Sequence, residues 1–202
     1  MKHPVIFWDV DTQHDFIDAS GRLAVPDAEA RVPAMARLVE WARREGIPHV
    51  ASADDHELTD PEISESPDYA DTFPPHCLRG TDGAGKIAET KQVDPVPLGS
   101  TAVPDSWFRG REFLLHKKHF DVFTNPNAER LLEHLKPDEI VLFGVATDIC
   151  NDAAIRGLRK RGYNVTFVED ASCGIDDERS QACIVDWQGG GVRIATVDDV
   201  VA

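Results

Sequence analysis

The chain has no apolar stretch approaching the ~20 residues that a bilayer-spanning helix needs, so no membrane span is expected. It also lacks a secretory signal pattern: Met1-Lys2 leads directly into the strand-like run Val5-Ile6-Phe7-Trp8. The four cysteines, Cys77, Cys150, Cys173 and Cys183, show no paired spacing. Reduced thiols and a cytoplasmic location are therefore expected. Positive charge is scarce, with 21 Lys and Arg against 36 Asp and Glu and a formal net charge of -15. A nucleic-acid partner needs a cationic stripe to displace counterions, so none is expected. The densest basic cluster, Arg156 to Arg161, reads as a solvated helix face. Internal repeats and low-complexity tracts are absent as well.

What is present is enough for one packed domain over residues 1–202: 42% of the residues are hydrophobic. Apolar runs alternate with helical patterns. Val5 to Trp8 reads as a strand, and Pro26 to Glu45 as a helix with Val32, Met35, Leu38, Val39 and Ala42 on one face. Gly46 ends that helix. Further strands are expected at 47–53, 112–116, 139–145, 164–169 and 192–197, with helices at 125–135, 148–161 and 177–188. Residues 54–111 are rich in Pro, Gly, Asp and Ser and read as a loop-rich insertion. This order predicts an α/β fold: a Rossmann-like, three-layer α/β/α sandwich around a mostly parallel six-stranded sheet. Ligands in such sheets bind at the carboxyl ends of the strands.

Those ends carry chemistry. Asp9-Val10-Asp11-Thr12-Gln13 follows the first strand, Asp54-Asp55-His56 the second, His116-Lys117-Lys118-His119 the third, and Gly144-Val145-Ala146-Thr147-Asp148-Ile149-Cys150 the fourth. Cys150 stands near a helix N-terminus, where free amides and the helix dipole favour a thiolate and can hold an oxyanion. A buried helix cysteine acting as a small hydrophobe fits the position equally well. Asp11 fits a base for that thiol, and Lys117 a cation that keeps Asp11 ionised. Taken singly, a turn Asp and a surface Lys are the simpler readings. Strand alternation lets only one of Lys117 and Lys118 face the site. Asp54, His56 and the later His76 form an O,N,N set of the kind that holds a catalytic metal, although loop histidines would look the same. Cys77, Cys173 and Cys183 read as packing residues. His3, His49 and His134 read as surface or packing positions, while His14 and His119 are candidates for a pocket rim.

Together these residues resemble the isochorismatase-like cysteine hydrolases, and among them the nicotinamidases, over nearly the whole chain. Asp11-Thr12-Gln13-His14-Asp15-Phe16 is similar to the family's opening D-x-Q-x-D-F motif. Asp54-Asp55-His56, Phe73-Pro74-Pro75-His76, Lys117 and Gly144 to Cys150 are similar to its later segments. Asp55 and Asn151 depart from the family's usual aromatic and apolar residues. The resemblance implies a triad of Asp11, Lys117 and Cys150, and a divalent metal, usually zinc, on Asp54, His56 and His76. It further implies a cis Val145–Ala146 bond, an oxyanion hole from the Ala146 and Cys150 amides, and a flat ring held by Phe16, Phe73 and Val145. The implied substrate is a small amide, nicotinamide above other amide, ureido or carbamoyl compounds. Relatives often assemble, so a homo-oligomer is implied. Asp9-x-Asp11-Thr12 also resembles the motif of haloacid-dehalogenase-type phosphatases, but that motif continues Gly-Thr, which Gln13 does not match. A fold retained only as a binding module is opposed by the six intact triad and ligand positions.

Overall fold

The structure, a computed structural model, describes residues 3–201. Its strands are β1 (Val5–Val10), β2 (His49–Asp54), β3 (Val96–Leu98), β4 (Glu112–Lys117), β5 (Glu139–Val145), β6 (Asn164–Cys173) and β7 (Arg193–Ala195). They form one sheet in the order β3-β4-β2-β1-β5-β6-β7. Every pairing is parallel. The direction of strand order reverses at β1, between β2 and β5, and a crevice for a ligand opens at such a point.

The helices are α1 (His14–Ile17), α2 (Ala28–Glu45), α3 (Ala128–Leu135), α4 (Asp152–Lys160), α5 (Asp177–Gly189) and α6 (Val197–Val200). Side chains alternate across β1 because strand residues point to opposite faces. Ile6, Trp8 and Val10 pack with Leu131 of α3, Ile155 of α4 and Trp187 of α5. Phe7 packs on the other face with Met35, Leu38 and Val39 of α2. The sheet is thus covered on both sides, which explains its continuous apolar strands. α2 stops where expected: Gly46 takes φ +64 and returns its amide to the Ala42 and Arg43 carbonyls. No helix among the described residues is long and apolar enough to cross a membrane.

The sheet has seven strands rather than six. The additional one, β3, lies inside the 54–111 region and pairs with β4. Its three residues are too few to show alternation, and Pro97 at its centre is tolerated because β3 is an edge strand. The helix expected from Asp148 begins instead as one wide π turn, Thr147–Asn151, before α4. The last expected strand is shorter than 192–197, because Thr196 closes a capping box with Asp199 and starts α6.

Candidate active site

Parallel strands end on one rim, and four of them deliver polar side chains to it. Asp11, just past β1, has φ +50, a left-handed conformation that Asp tolerates better than most residues. Ser52 on β2 donates its hydroxyl to Asp11 Oδ1 at 2.7 Å. The Asp11 amide donates to the Ser52 carbonyl at 3.2 Å. Lys117 is the last residue of β4 and stands opposite Asp54 of β2 in the register. Alternation along β4 sends Phe113, Leu115 and Lys117 inward, which settles the choice between neighbouring lysines. Lys118 turns away and pairs with Asp60 at 2.8 Å.

The Lys117 ammonium meets three groups. Its Nζ lies 2.9 Å from Asp11 Oδ2 and 3.8 Å from Cys150 Sγ, and it donates to Asp54 Oδ1. Cys150 sits in the π turn and keeps 7% of its surface exposed. The Val145–Ala146 bond preceding that turn is cis. Asn151 is fully buried and donates its side-chain amide to the Gly144 carbonyl at 3.0 Å. Gly144 itself has φ +117, and a Cβ there would stand 2.2 Å from the Val10 carbonyl oxygen.

Burial is the dominant influence on each of these groups. It pushes the Asp11 carboxyl up, with Asp54 adding to the effect and Lys117 and Ser52 only partly offsetting it. It pushes the Cys150 thiol well up, against Lys117 and with the charges of Asp11 and Asp54. Burial works against the charge on Lys117, yet Asp11 and Asp54 outweigh it and hold the ammonium protonated. Desolvation thus opposes negative charge on both Cys150 and Asp11, and the Lys117 ammonium offsets it only in part. The arrangement places a thiol and a carboxyl beside one fixed positive charge.

A second cluster adjoins the first through Asp54. Asp54, His56, Glu62 and His76 are all buried and offer four ligand atoms within 4.8 Å of one another. His76 Nδ1 donates to the Pro74 carbonyl at 2.7 Å, which leaves Nε2 facing Asp54 Oδ2 at 3.4 Å. His56 Nε2 lies 3.7 Å from Asp54 Oδ2 and 3.6 Å from Glu62 Oε1. Burial alone would lower the His56 pKa; the nearby carboxylates of Asp54 and Glu62 reverse this and raise it to about 9. Asp54 is likewise opposed by burial but held well below the usual carboxylate range by Lys117, His56 and His76. Both ring nitrogens of His56 are buried without a hydrogen-bond partner. Two carboxylates and two imidazoles facing one another in this way fit a divalent cation such as Zn2+.

Glu62 was not foreseen from the sequence. It joins the cluster because Phe73 donates its amide to the Glu62 carbonyl at 2.8 Å, folding that stretch against the His76 segment. The motif residue Asp15 braces the same segment, accepting the Cys77 amide at 2.6 Å.

Phe16 and Phe73 line the pocket over Cys150, with Phe120, Ile149 and Ile175. Ala146 lines it too, whereas Val145 is fully buried in the α2-side core and does not line it. Neither His14 nor His119 lines this pocket. His14 pairs with Asp18 at 2.9 Å, and His119 stacks on Phe120 with 4.0 Å between centroids. His49 is buried beside Asp9. Asp9 pairs with Lys86 at 2.8 Å, so Asp9 and Asp11 answer to different cations. Asp55, the departure between two metal-cluster residues, faces outward to Arg79 at 2.5 Å.

A family model for the isochorismatase domain matches residues 6–199. The nicotinamidase of Escherichia coli (strain K12) is 26% identical over 210 residues, covering 94% of this chain and 93% of that protein. The pyrazinamidase of Pyrococcus horikoshii in complex with zinc superposes with a TM-score of 0.75 at 21% identity, covering 96% of this chain and 99% of that one. The N-carbamoylsarcosine amidase from Thermoplasma acidophilum superposes with a TM-score of 0.75 at 26% identity, covering 98% of each chain.

Proposed function

The chain belongs to the isochorismatase family, and from that membership we propose that it is a cysteine amidohydrolase for a small uncharged amide, with nicotinamide as the favoured substrate. The observation that carries the reading is the single buried ammonium of Lys117, which touches Asp11, Cys150 and Asp54 at once. It joins a nucleophile, a base and a ligand cluster in one site.

In the proposed reaction Asp11 takes the Cys150 proton as sulfur attacks the amide carbonyl. The amides of Ala146 and Cys150 hold the oxyanion. Asp11 returns the proton to the departing ammonia and leaves a thioester on Cys150. Water, deprotonated by Asp11, then releases the acid. Lys117 keeps its charge throughout and balances the carboxylate as it gains and loses the proton. A divalent cation held by Asp54, His56, Glu62 and His76 would supply a Lewis acid for a ring nitrogen of the substrate.

The pocket supports a flat neutral ring. Phe16 and Phe73 stand among its apolar walls, and none of the described residues lining it is Lys or Arg. The test is ammonia release from nicotinamide by the purified protein, by its chelated form and by Cys150→Ala. Turnover that is lost on chelation, regained with Zn2+, and reduced by roughly 10^4-fold or more in Cys150→Ala is expected. Retained turnover in Cys150→Ala would sink the thiol mechanism. Inactivity on nicotinamide together with activity on a carbamoyl compound would move the substrate class.

A further inference from the structure

The proposed chemistry leaves one buried ion pair unused. Asp9, in β1, is fully buried. Lys86 comes from the long excursion between β2 and β4 and brings its ammonium to 2.8 Å from Asp9 Oδ2, with 5% of its side chain exposed. The same ammonium donates to Thr12 Oγ1 at 2.7 Å. Thr12 in turn donates to Asp9 Oδ1 at 2.9 Å. The Thr12 hydroxyl has only one proton to give, so Thr90, whose Oγ1 lies 2.5 Å away, is the donor to Thr12.

These contacts grip the chain on both sides of Asp11. Around them, residues 84–90 lie as a strap against residues 12–14. The Ile87 amide donates to the Thr12 carbonyl at 3.1 Å, and the His14 amide to the Gly85 carbonyl at 2.9 Å. Gln13 forms an antiparallel bridge with Lys86. Stability alone does not call for charges here. An apolar pair of similar volume would fill the space about as favourably, because desolvating two ions costs roughly what their attraction returns. Apolar contacts are not directional, whereas an ammonium held between two oxygen partners fixes a geometry.

We infer that Lys86 is a positioning residue for Asp11: bridging Asp9 and Thr12, its buried ammonium holds the left-handed turn that directs the Asp11 carboxylate toward Lys117 and Cys150. The inference rests on the assignment of Asp11 as the base.

Lys86→Met alone strands a buried Asp9 carboxylate and lowers Tm whatever the role of Lys86. The informative variant is therefore Asp9→Leu/Lys86→Met, which removes both charges. Its Tm is expected to recover toward the parent value in part, since Thr12 and the buried His49 still lose the Asp9 carboxylate. Its kcat on nicotinamide is expected to stay at least ~10-fold down with KM within about twofold, since small misplacements of a reacting group are costly. The rate at which iodoacetamide alkylates Cys150 is expected to fall in parallel. Recovery of kcat and alkylation together with Tm would overturn the inference. If the double variant does not fold, Thr12→Val keeps the ion pair and removes the bridge. A lowered kcat at unchanged KM supports the assignment, and parent-like kcat overturns it.

Alkylation needs no substrate, so it separates this inference from the reading beneath it. A parent inactive on nicotinamide, yet alkylated faster than Asp11→Ala, loses only its substrate; a slowed double variant then still supports Lys86. A parent alkylated no faster than Asp11→Ala loses its base, and the role of Lys86 falls with it.

Discussion

At the residue scale, Asp11 must take a proton and return it within one turnover, and its environment is set for both. Burial raises its carboxyl, while Ser52 and Lys117 restrain the rise. The Ser52 hydrogen bond favours the ionised form, so Ser52→Ala is expected to raise the Asp11 pKa further. The base is then present only at higher pH, and the acid limb of kcat/KM moves up; Ser52→Thr, which keeps a hydroxyl, leaves the limb near its parent position. A pH–rate profile checks this, and an unmoved limb in Ser52→Ala would refute it. Glu62→Gln is expected to weaken Zn2+ binding at least ~10-fold, measured by titration of the chelated protein. The two residues differ in how legible they were. Asp11, Lys117 and Cys150 stand at strand ends inside recognisable motifs, and strand geometry alone points them at one rim. Glu62 lies in an aperiodic loop, and only the pairing of its backbone with Phe73 brings it to the histidines.

At the scale of elements, the site depends on strands that approach closely where it is built. Gly144 of β5 meets β1 with no room for a Cβ. Gly144→Ala combines a strained φ with a backbone clash and is expected to cost about 3 kcal/mol or more, read from urea unfolding. Asn125, buried ahead of α3, donates its side-chain amide to the Leu98 and His116 carbonyls at 2.8 and 2.7 Å. It thereby ties the ends of β3 and β4. Asn125→Ala leaves those carbonyls unpaired at about 1–3 kcal/mol. Faster amide hydrogen exchange in Val96–Leu98 is expected to accompany it, and unchanged exchange would show the tie to be dispensable. The alternation of strands and helices was readable because each buried face imposes a period. β3 and the π turn were not, since three residues carry no period and a widened turn keeps the helical one.

At the scale of the whole molecule, the fold holds two buried carboxylates and two imidazoles together with Lys117 as the nearby cation. Filling that cluster with Zn2+ is expected to raise Tm by roughly 5–10 °C at a hundred times Kd, because a ligand bound only by the folded chain stabilises it by about 2.7 kcal/mol there. Thermal unfolding with chelator and with added Zn2+ measures this without any assay of turnover, and identical curves would remove the cluster from the proposal. The long excursion between β2 and β4 has a consequence for how such a protein diversifies. His56, Glu62 and His76 all ride on it, whereas Lys117 ends β4, Asp11 and Cys150 lie just beyond β1 and β5, and Asp54, at the end of β2, belongs to both halves. A chimera that exchanges residues 55–111 with those of a relative would transplant the ligand half and leave the nucleophile half in place. It would succeed only where the incoming segment carries a cation opposite Asp9, so the strap acts as a compatibility check on recombination.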